Sequence, residues 1–236
     1  MADGTQIIKE TEPFFEWLAT WYDALESVRF DEVAPDPAKA AILVADLIVG
    51  FCSEGPLASE RVNSIVGPTR DLFCRAHAAG VRRFVLAQDT HAPDTPEFEA
   101  WPVHCVRGTR ESEMVPELRS LPFASEFTVI EKNTLSAGIG TQFPTWLKLN
   151  EDVTHFLVTG DCTDLCTYNL AMFVRQWANA YNLHDRHVIV DAKAVQTFDI
   201  PVDAGAPYPH PGDFTHVYFL YHMALNGIRV VKNIDS

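Results

Sequence analysis

Six short apolar runs, separated by stretches of helical periodicity, constrain this chain more than anything else in it. The runs are Ala41–Ala45, Arg83–Ala87, Phe127–Glu131, His155–Thr159, His187–Val190 and Arg229–Val231. Between and after them the spacing predicts helices over Ser59–Ala79, Glu111–Leu118, Pro144–Leu149, Asp164–Ala180 and Asp213–Asn226. Strands that alternate with helices join through right-handed crossovers into a mostly parallel sheet. The expected fold is therefore α/β, a doubly wound sheet of about six strands with helices on both faces. In such sheets ligands bind outside the carboxyl ends of the strands.

Residues 1–37 read as a separate N-terminal helical extension, and 38–236 as the α/β domain. After Pro13, the residues Phe14, Phe15, Trp17, Leu18, Trp21, Tyr22 and Leu25 form a stripe at helical spacing. Such a stripe packs on the host domain or on a neighbouring subunit, and a homo-oligomer is expected. The Asp36-Pro37 dipeptide is read as its end.

The 236 residues are 47% apolar, enough for one large core. A net charge of -14 argues against nucleic acid and against an anionic membrane surface, since both reward cationic patches. No apolar run reaches the roughly 18–20 residues of a membrane span. The first residues lack the basic and apolar regions of a signal peptide. Five cysteines, Cys52, Cys74, Cys105, Cys162 and Cys166, are an odd number in a chain too long to need staples. A reduced, cytoplasmic compartment with at least one functional thiol is the expectation.

The strand ends carry the chemistry. Asp46 follows a wholly apolar run, Lys132 follows Phe127–Glu131, and the fourth run leads through Gly160 to Cys162 and Cys166. Cys166 falls in the first turn of a predicted helix, where the dipole and unpaired N–H groups favour a thiolate and could receive an oxyanion. A charge at the end of a buried strand must find a partner or serve a reaction. With Asp46 taking the thiol proton and Lys132 lowering the thiol pKa, the three form a candidate nucleophilic site.

A second cluster lies in Asp89–Cys105. Pro93, Pro96 and Pro102 make this segment a loop, and it concentrates Asp89, His91, Glu97 and His104. Neutral imidazole and carboxylate suit zinc, iron or manganese.

Asp46, Lys132 and Cys166, with Thr159-Gly160 and Thr163-Asp164-x-Cys166, resemble the isochorismatase-like cysteine hydrolases. The Asp89-x-His91 pair and Trp101-Pro-x-His104-Cys105-x-x-Gly108-Thr109 are similar, more narrowly, to the nicotinamidases of that superfamily, over roughly residues 40–232. Thr197-Phe198-Asp199-Ile-Pro201 is similar to their plant branch.

The resemblance implies an amidase acting on nicotinamide or a close pyridine carboxamide through a thioester on Cys166. It implies Asp46 as base and acid, and backbone N–H groups of Cys162 and Cys166 as the oxyanion hole, beside a cis Asp161–Cys162 peptide. A divalent metal, zinc foremost, would be held by Asp89, His91 and His104, with Phe51 and Trp101 enclosing the ring. Many members carry a second histidine as fourth ligand; here Glu97 is the candidate and Asp94 the alternative. Two further departures stand out. Asp46-Leu-Ile-Val-Gly50-Phe51 is more apolar than the usual segment, and Asp161-Cys162 replaces a small apolar pair. Other readings are an amidase of a carbamoyl compound or maleamate, and a noncatalytic binding relative.

Overall fold

A computed structural model describes residues 3–235. Its main sheet has six parallel strands: β2 (Ala40–Ala45), β3 (Arg83–Asp89), β4 (Phe127–Lys132), β5 (His155–Asp161), β6 (His187–Gln196) and β7 (Arg229–Val231). A separate parallel pair joins β1 (Ser27–Arg29) to β8 (Asn233–Asp235). The sheet order is β4-β3-β2-β5-β6-β7, so the chain winds one way from β2 and then returns to wind the other. The switch lies between β2 and β5, where a crevice opens above the strand ends.

Central strand β2 is apolar at every position because both its faces are covered. Its side chains alternate between two cores. Ile42 and Val44 pack with Leu72, Phe73 and Phe84 under the helix Val66–Ala79. Ala41, Leu43 and Ala45 pack with Phe143, Leu170, Val174 and Leu220 under the helices Phe143–Leu149, Cys166–Ala180 and Gly212–Leu225.

Several expected boundaries move. The helix expected over Ser59–Ala79 divides into Glu60–Asn63 and Val66–Ala79. Pro68 has no N–H to donate, so it fits only the first turn of the second piece. No helix spans Glu111–Leu118; a 3-10 turn at Arg110–Ser112 and a single turn at Pro116–Arg119 flank an extended Val115. Proline at 116 disfavours helical backbone at the residue before it. Strand β6 continues past Val190 because the buried Asp191 carboxylate accepts the N–H groups of Lys193 and Ile234, 3.0 and 3.2 Å away. A register shift in its pairing with β5, between Val158 and Gly160, accompanies the extension.

The N-terminal helix runs Gly4–Asp23 and ends well before Asp36-Pro37. Its stripe lies on the helix Gly212–Leu225 of the same chain: the rings of Phe14, Trp17 and Trp21 stand 5.4, 5.4 and 5.8 Å from that of Tyr221. Because β1 pairs with β8, the segment before Asp36 is also tied to the far end of the chain.

Candidate active site

Asp46, Asp89, Lys132 and Asp161 all stand at strand ends along the crevice. Each strand that supplies one runs a residue or two beyond its apolar run or stops at its edge, which brings the charged side chain into the buried layer. Gly160 makes the central approach possible. At φ 111° a Cβ there would lie 2.0 Å from the Ala45 carbonyl oxygen, so only glycine lets β5 pass the end of β2. The next peptide, Asp161–Cys162, is cis.

The buried Lys132 ammonium is the hub. It lies 2.7 Å from Asp46 Oδ2, in contact with Asp89 Oδ1, and 3.4 Å from Cys166 Sγ. The Asp89 backbone N–H donates to Asp46 Oδ1 at 2.6 Å, which fixes the carboxylate's rotation. Asp46 Oδ2 is engaged by the lysine's charge but by no aligned hydrogen bond, which leaves it able to accept a proton. Burial, followed by the charge of Asp89, raises Asp46 to about 6, with Lys132 opposing. It is thus ionised at neutral pH yet close to taking a proton, as a general base should be. Burial also pushes the Cys166 thiol well up, and Lys132 is the leading influence the other way. Asp46, Asp89 and Cys166 are close enough together to hold a cation, and the Lys132 ammonium that touches all three takes that place.

Beside this hub the loop Asp89–Cys105 folds into a second group. One ligand atom each of Asp89, His91 and His104 lies within 4.8 Å of the others, and all three residues are buried. His104 Nδ1 faces the Pro102 carbonyl at 2.7 Å, so it carries the proton and leaves Nε2 unprotonated. Neither ring nitrogen of His91 has a hydrogen-bond partner although the ring is buried. Its Nε2 lies 3.4 Å from Asp89 Oδ2 and 3.8 Å from Glu97 Oε1. Burial disfavours the His91 imidazolium, but the two carboxylates more than offset it. The cage therefore favours positive charge, and its orphaned imidazole fits a divalent ion. Asp94 is exposed, outside this group.

The groups open onto a pocket of about 250 Å³ lined by Phe51, Leu57, Glu97, Trp101, His104, Leu135, Asp161, Cys162, Cys166 and Phe198, among others. Phe51 is set by Gly50, where a Cβ would meet Cys105 Sγ at 2.5 Å, and its ring lies 5.6 Å from that of His104. Trp101 meets Phe198 edge to face at 6.1 Å across the opening. Phe198 is stacked on His210 at 3.9 Å, and His210 is held by the Asp164 carboxylate and the Phe198 carbonyl, each at 2.9 Å.

Three contributors were given no site role from the sequence. Phe198 lies within the Thr197–Pro201 stretch similar to the plant branch but without an assigned task, and nothing in the local sequence of Leu135 separates it from core residues; both are walls supplied by distant segments. Glu111, whose carboxylate accepts the Cys105 N–H at 3.0 Å, anchors the histidine loop from a segment expected to be helical.

The profile of the isochorismatase domain family matches residues 40–209. The chain belongs to that family and is a hydrolase acting on an amide bond. Among curated proteins it is similar to nicotinamidase 1 of Arabidopsis thaliana, 28% identical, with 92% of this chain and 97% of that protein covered. Among solved structures it is similar to N-carbamoylsarcosine amidase from Thermoplasma acidophilum, with 25% identity, a TM-score of 0.63, and 84% and 99% of the two chains covered. The pyrazinamidase of Pyrococcus horikoshii in complex with zinc shares the fold at 22% identity and a TM-score of 0.62, with 82% and 98% covered.

Proposed function

We propose that this chain is a metal-dependent cysteine amidase that hydrolyses nicotinamide, or a close pyridine carboxamide, to the acid and ammonia. The observation that carries the reading is Asp89, whose one oxygen touches Lys132 while the other faces His91. Nucleophile and cation cage are thereby one connected structure, which suits a substrate with an amide at one end and a ring nitrogen at the other.

In this reading the Cys166 thiol gives its proton to Asp46 Oδ2 and the sulfur attacks the carboxamide carbon. The backbone N–H groups of Cys162 and Cys166 receive the oxyanion. Asp46 returns the proton to the departing nitrogen, ammonia leaves, and a thioester remains. Asp46 then takes a proton from water, the hydroxide adds, and collapse restores the thiol and releases the acid. Lys132 holds Asp46 in line and favours the thiolate. Phe51 and Trp101 enclose the ring. Asp89, His91 and His104, with Glu97 beside them, would hold the ion; zinc leads, with iron and manganese as alternatives. When bound, it supplies Lewis-acid attraction for the ring nitrogen.

A second reading, an amidase of carbamoyl compounds, has the similarity to N-carbamoylsarcosine amidase in its favour. Such substrates lack a ring nitrogen and give the imidazole pair no task. Ammonia release by purified protein from nicotinamide, a carbamoyl amino acid and maleamate, with chelator and with zinc restored, separates the two. Nicotinamide turnover that falls with chelator and recovers with zinc is expected. Turnover of the carbamoyl compound alone, indifferent to chelator, would sink the first reading.

Cytoplasmic location is part of the proposal, supported by five free cysteines. Among the described residues no helix is long and apolar enough to cross a membrane. A homo-oligomer is likewise proposed; Phe15 and Phe214, 43 and 44% exposed, meet edge to face at 5.5 Å and offer an apolar surface to a second copy.

A further inference from the structure

Phe198 lines the pocket from a segment with little core of its own. Strand β6 ends at Gln196, and the last long helix begins at Gly212. Every residue from Phe198 to Pro211 is half-buried or exposed, and Val202 and Tyr208 stand out in solvent. Apolar burial therefore does little to fix the segment, and its place depends on polar contacts. Ile200 and His210 exchange backbone hydrogen bonds of 2.8 Å each, and the Gly212 N–H donates to Asp199 Oδ1 at 2.7 Å. The side-chain contacts converge on Asp164. Its Oδ1 accepts the Thr197 hydroxyl at 2.6 Å, and its Oδ2 faces His210 Nε2 at 2.9 Å.

The other ring nitrogen, His210 Nδ1, faces the Phe198 carbonyl at 2.9 Å. An ionised carboxylate and a carbonyl can only accept, so both ring nitrogens must donate, and only the imidazolium has two N–H groups. Burial disfavours that charge, but the hydrogen bond and charge of Asp164, with the Phe198 carbonyl, more than offset it and raise His210 above its ordinary 6.5. The cation lies flat on the Phe198 ring, centroids 3.9 Å apart and planes 16° from parallel, where a π face attracts it. Neutral His210 would keep one N–H. Asp164, the charged acceptor, retains it, and bare Nδ1 then meets the Phe198 carbonyl lone pair to lone pair. The neighbouring charged and titratable groups have partners or states of their own. Arg61 gives Nε to the Thr197 carbonyl at 3.1 Å and Nη2 to Asp213 at 2.7 Å. His216 faces the Thr163 hydroxyl and is pushed down to about 4, and burial keeps the Cys162 thiol neutral.

We infer that His210 is a positioning residue: by donating both ring N–H groups, to Asp164 and to the Phe198 carbonyl, it holds Phe198 as a wall for the substrate's ring. Affinity for an aromatic amide is then greatest while His210 is an imidazolium, and it falls as pH rises through the folded-state midpoint of that ring, above 6.5. This rests on the pyridine carboxamide reading above and adds the group that seats one side of the ring. The wall contacts the ring alike before and during reaction, so its loss acts on binding more than on turnover.

Two measurements test this. In wild-type protein without substrate, an NMR titration of the labelled histidine and phenylalanine rings should give His210 a midpoint above 6.5, with the Phe198 signals moving at the same midpoint. A midpoint at or below 6.5, or Phe198 signals that ignore it, overturns the inference whatever the substrate. In the second, zinc-loaded wild type and His210→Gln are compared between about pH 6 and pH 9, by calorimetric binding of nicotinate and by KM and kcat for nicotinamide. His210→Gln should weaken acid binding and raise KM by about three- to tenfold at the acid end, with a smaller change in kcat. The gap should close as wild type loses its proton. In a Phe198→Leu background the same substitution should add less than about twofold, since its effect passes through that ring. A gap constant across the pH range, or full additivity with Phe198→Leu, makes His210 merely structural and overturns the inference. Release of no ammonia from nicotinamide removes the parent reading, and the NMR titration still decides whether His210 holds Phe198.

Discussion

Replacing Lys132 by Met tests the hub of the site most directly. The ammonium stands 3.4 Å from Cys166 Sγ. Between unit charges at that separation, an effective dielectric of about 20 gives an attraction of roughly 5 kcal/mol, or about 3–4 pH units on the thiol. Loss of the cation also lets Asp46 or Asp89 bind a proton, which removes a repelling negative charge and returns part of the shift. The expected net rise in the Cys166 titration midpoint is therefore about 1–2 units. The sign is fixed: a cation favours the thiolate, and its removal must move the midpoint upward. The assay is alkylation by iodoacetamide as a function of pH on metal-free protein, resolved by cysteine with mass spectrometry. Exposed Cys74 serves as the internal reference, and buried Cys52 and Cys105 report on folding, since their protection vanishes if the variant unfolds. That control matters, because two buried carboxylates left without a cation cost roughly 3–5 kcal/mol. A folded Lys132→Met protein with the wild-type alkylation midpoint would place the lysine outside the electrostatics of the thiol and refute the argument.

Cys166→Ala should abolish ammonia release while Cys162→Ala keeps measurable turnover, because only Cys166 touches Lys132; full activity in Cys166→Ala would end the thioester mechanism. A His91→Ala, His104→Ala double variant should lose stoichiometric metal on dialysis, read by elemental analysis, and retention of one ion per chain would relocate the site. Acid sensitivity should centre on His216, which faces the Thr163 hydroxyl at 2.9 Å and is pushed down to about 4, chiefly by burial. A histidine depressed in the fold is neutral there, so its contribution is complete above about 6.5 and is lost as pH falls toward 4, by about 3 kcal/mol in all. Urea unfolding at pH 7 and pH 4.5 should show a smaller acid loss in His216→Gln, and an equal loss in both proteins would clear His216 of the effect.

Much of this molecule was legible one residue at a time. Wholly apolar Ala41–Ala45 had to be a central strand, since only a sheet covered on both faces buries every side chain, and the charge that follows it had to lie at a strand end. The same logic brought out Lys132 and the path through Gly160 to Cys166, while proline density alone made the His91–His104 segment a loop. What the sequence could not carry was any choice that depends on where a distant segment returns. Val115 is extended because Pro116 and the bridge between Met114 and Ile48 outweigh a helical spacing that had looked sufficient. Strand β6 outruns its apolar stretch because Asp191 is satisfied by backbone from β8, more than forty positions away. Sequence put Asp161 at a strand end but left its direction open. Tertiary packing buried it on the pocket with only the Cys162 thiol beside one oxygen, while the buried Lys132 is shared by two other carboxylates.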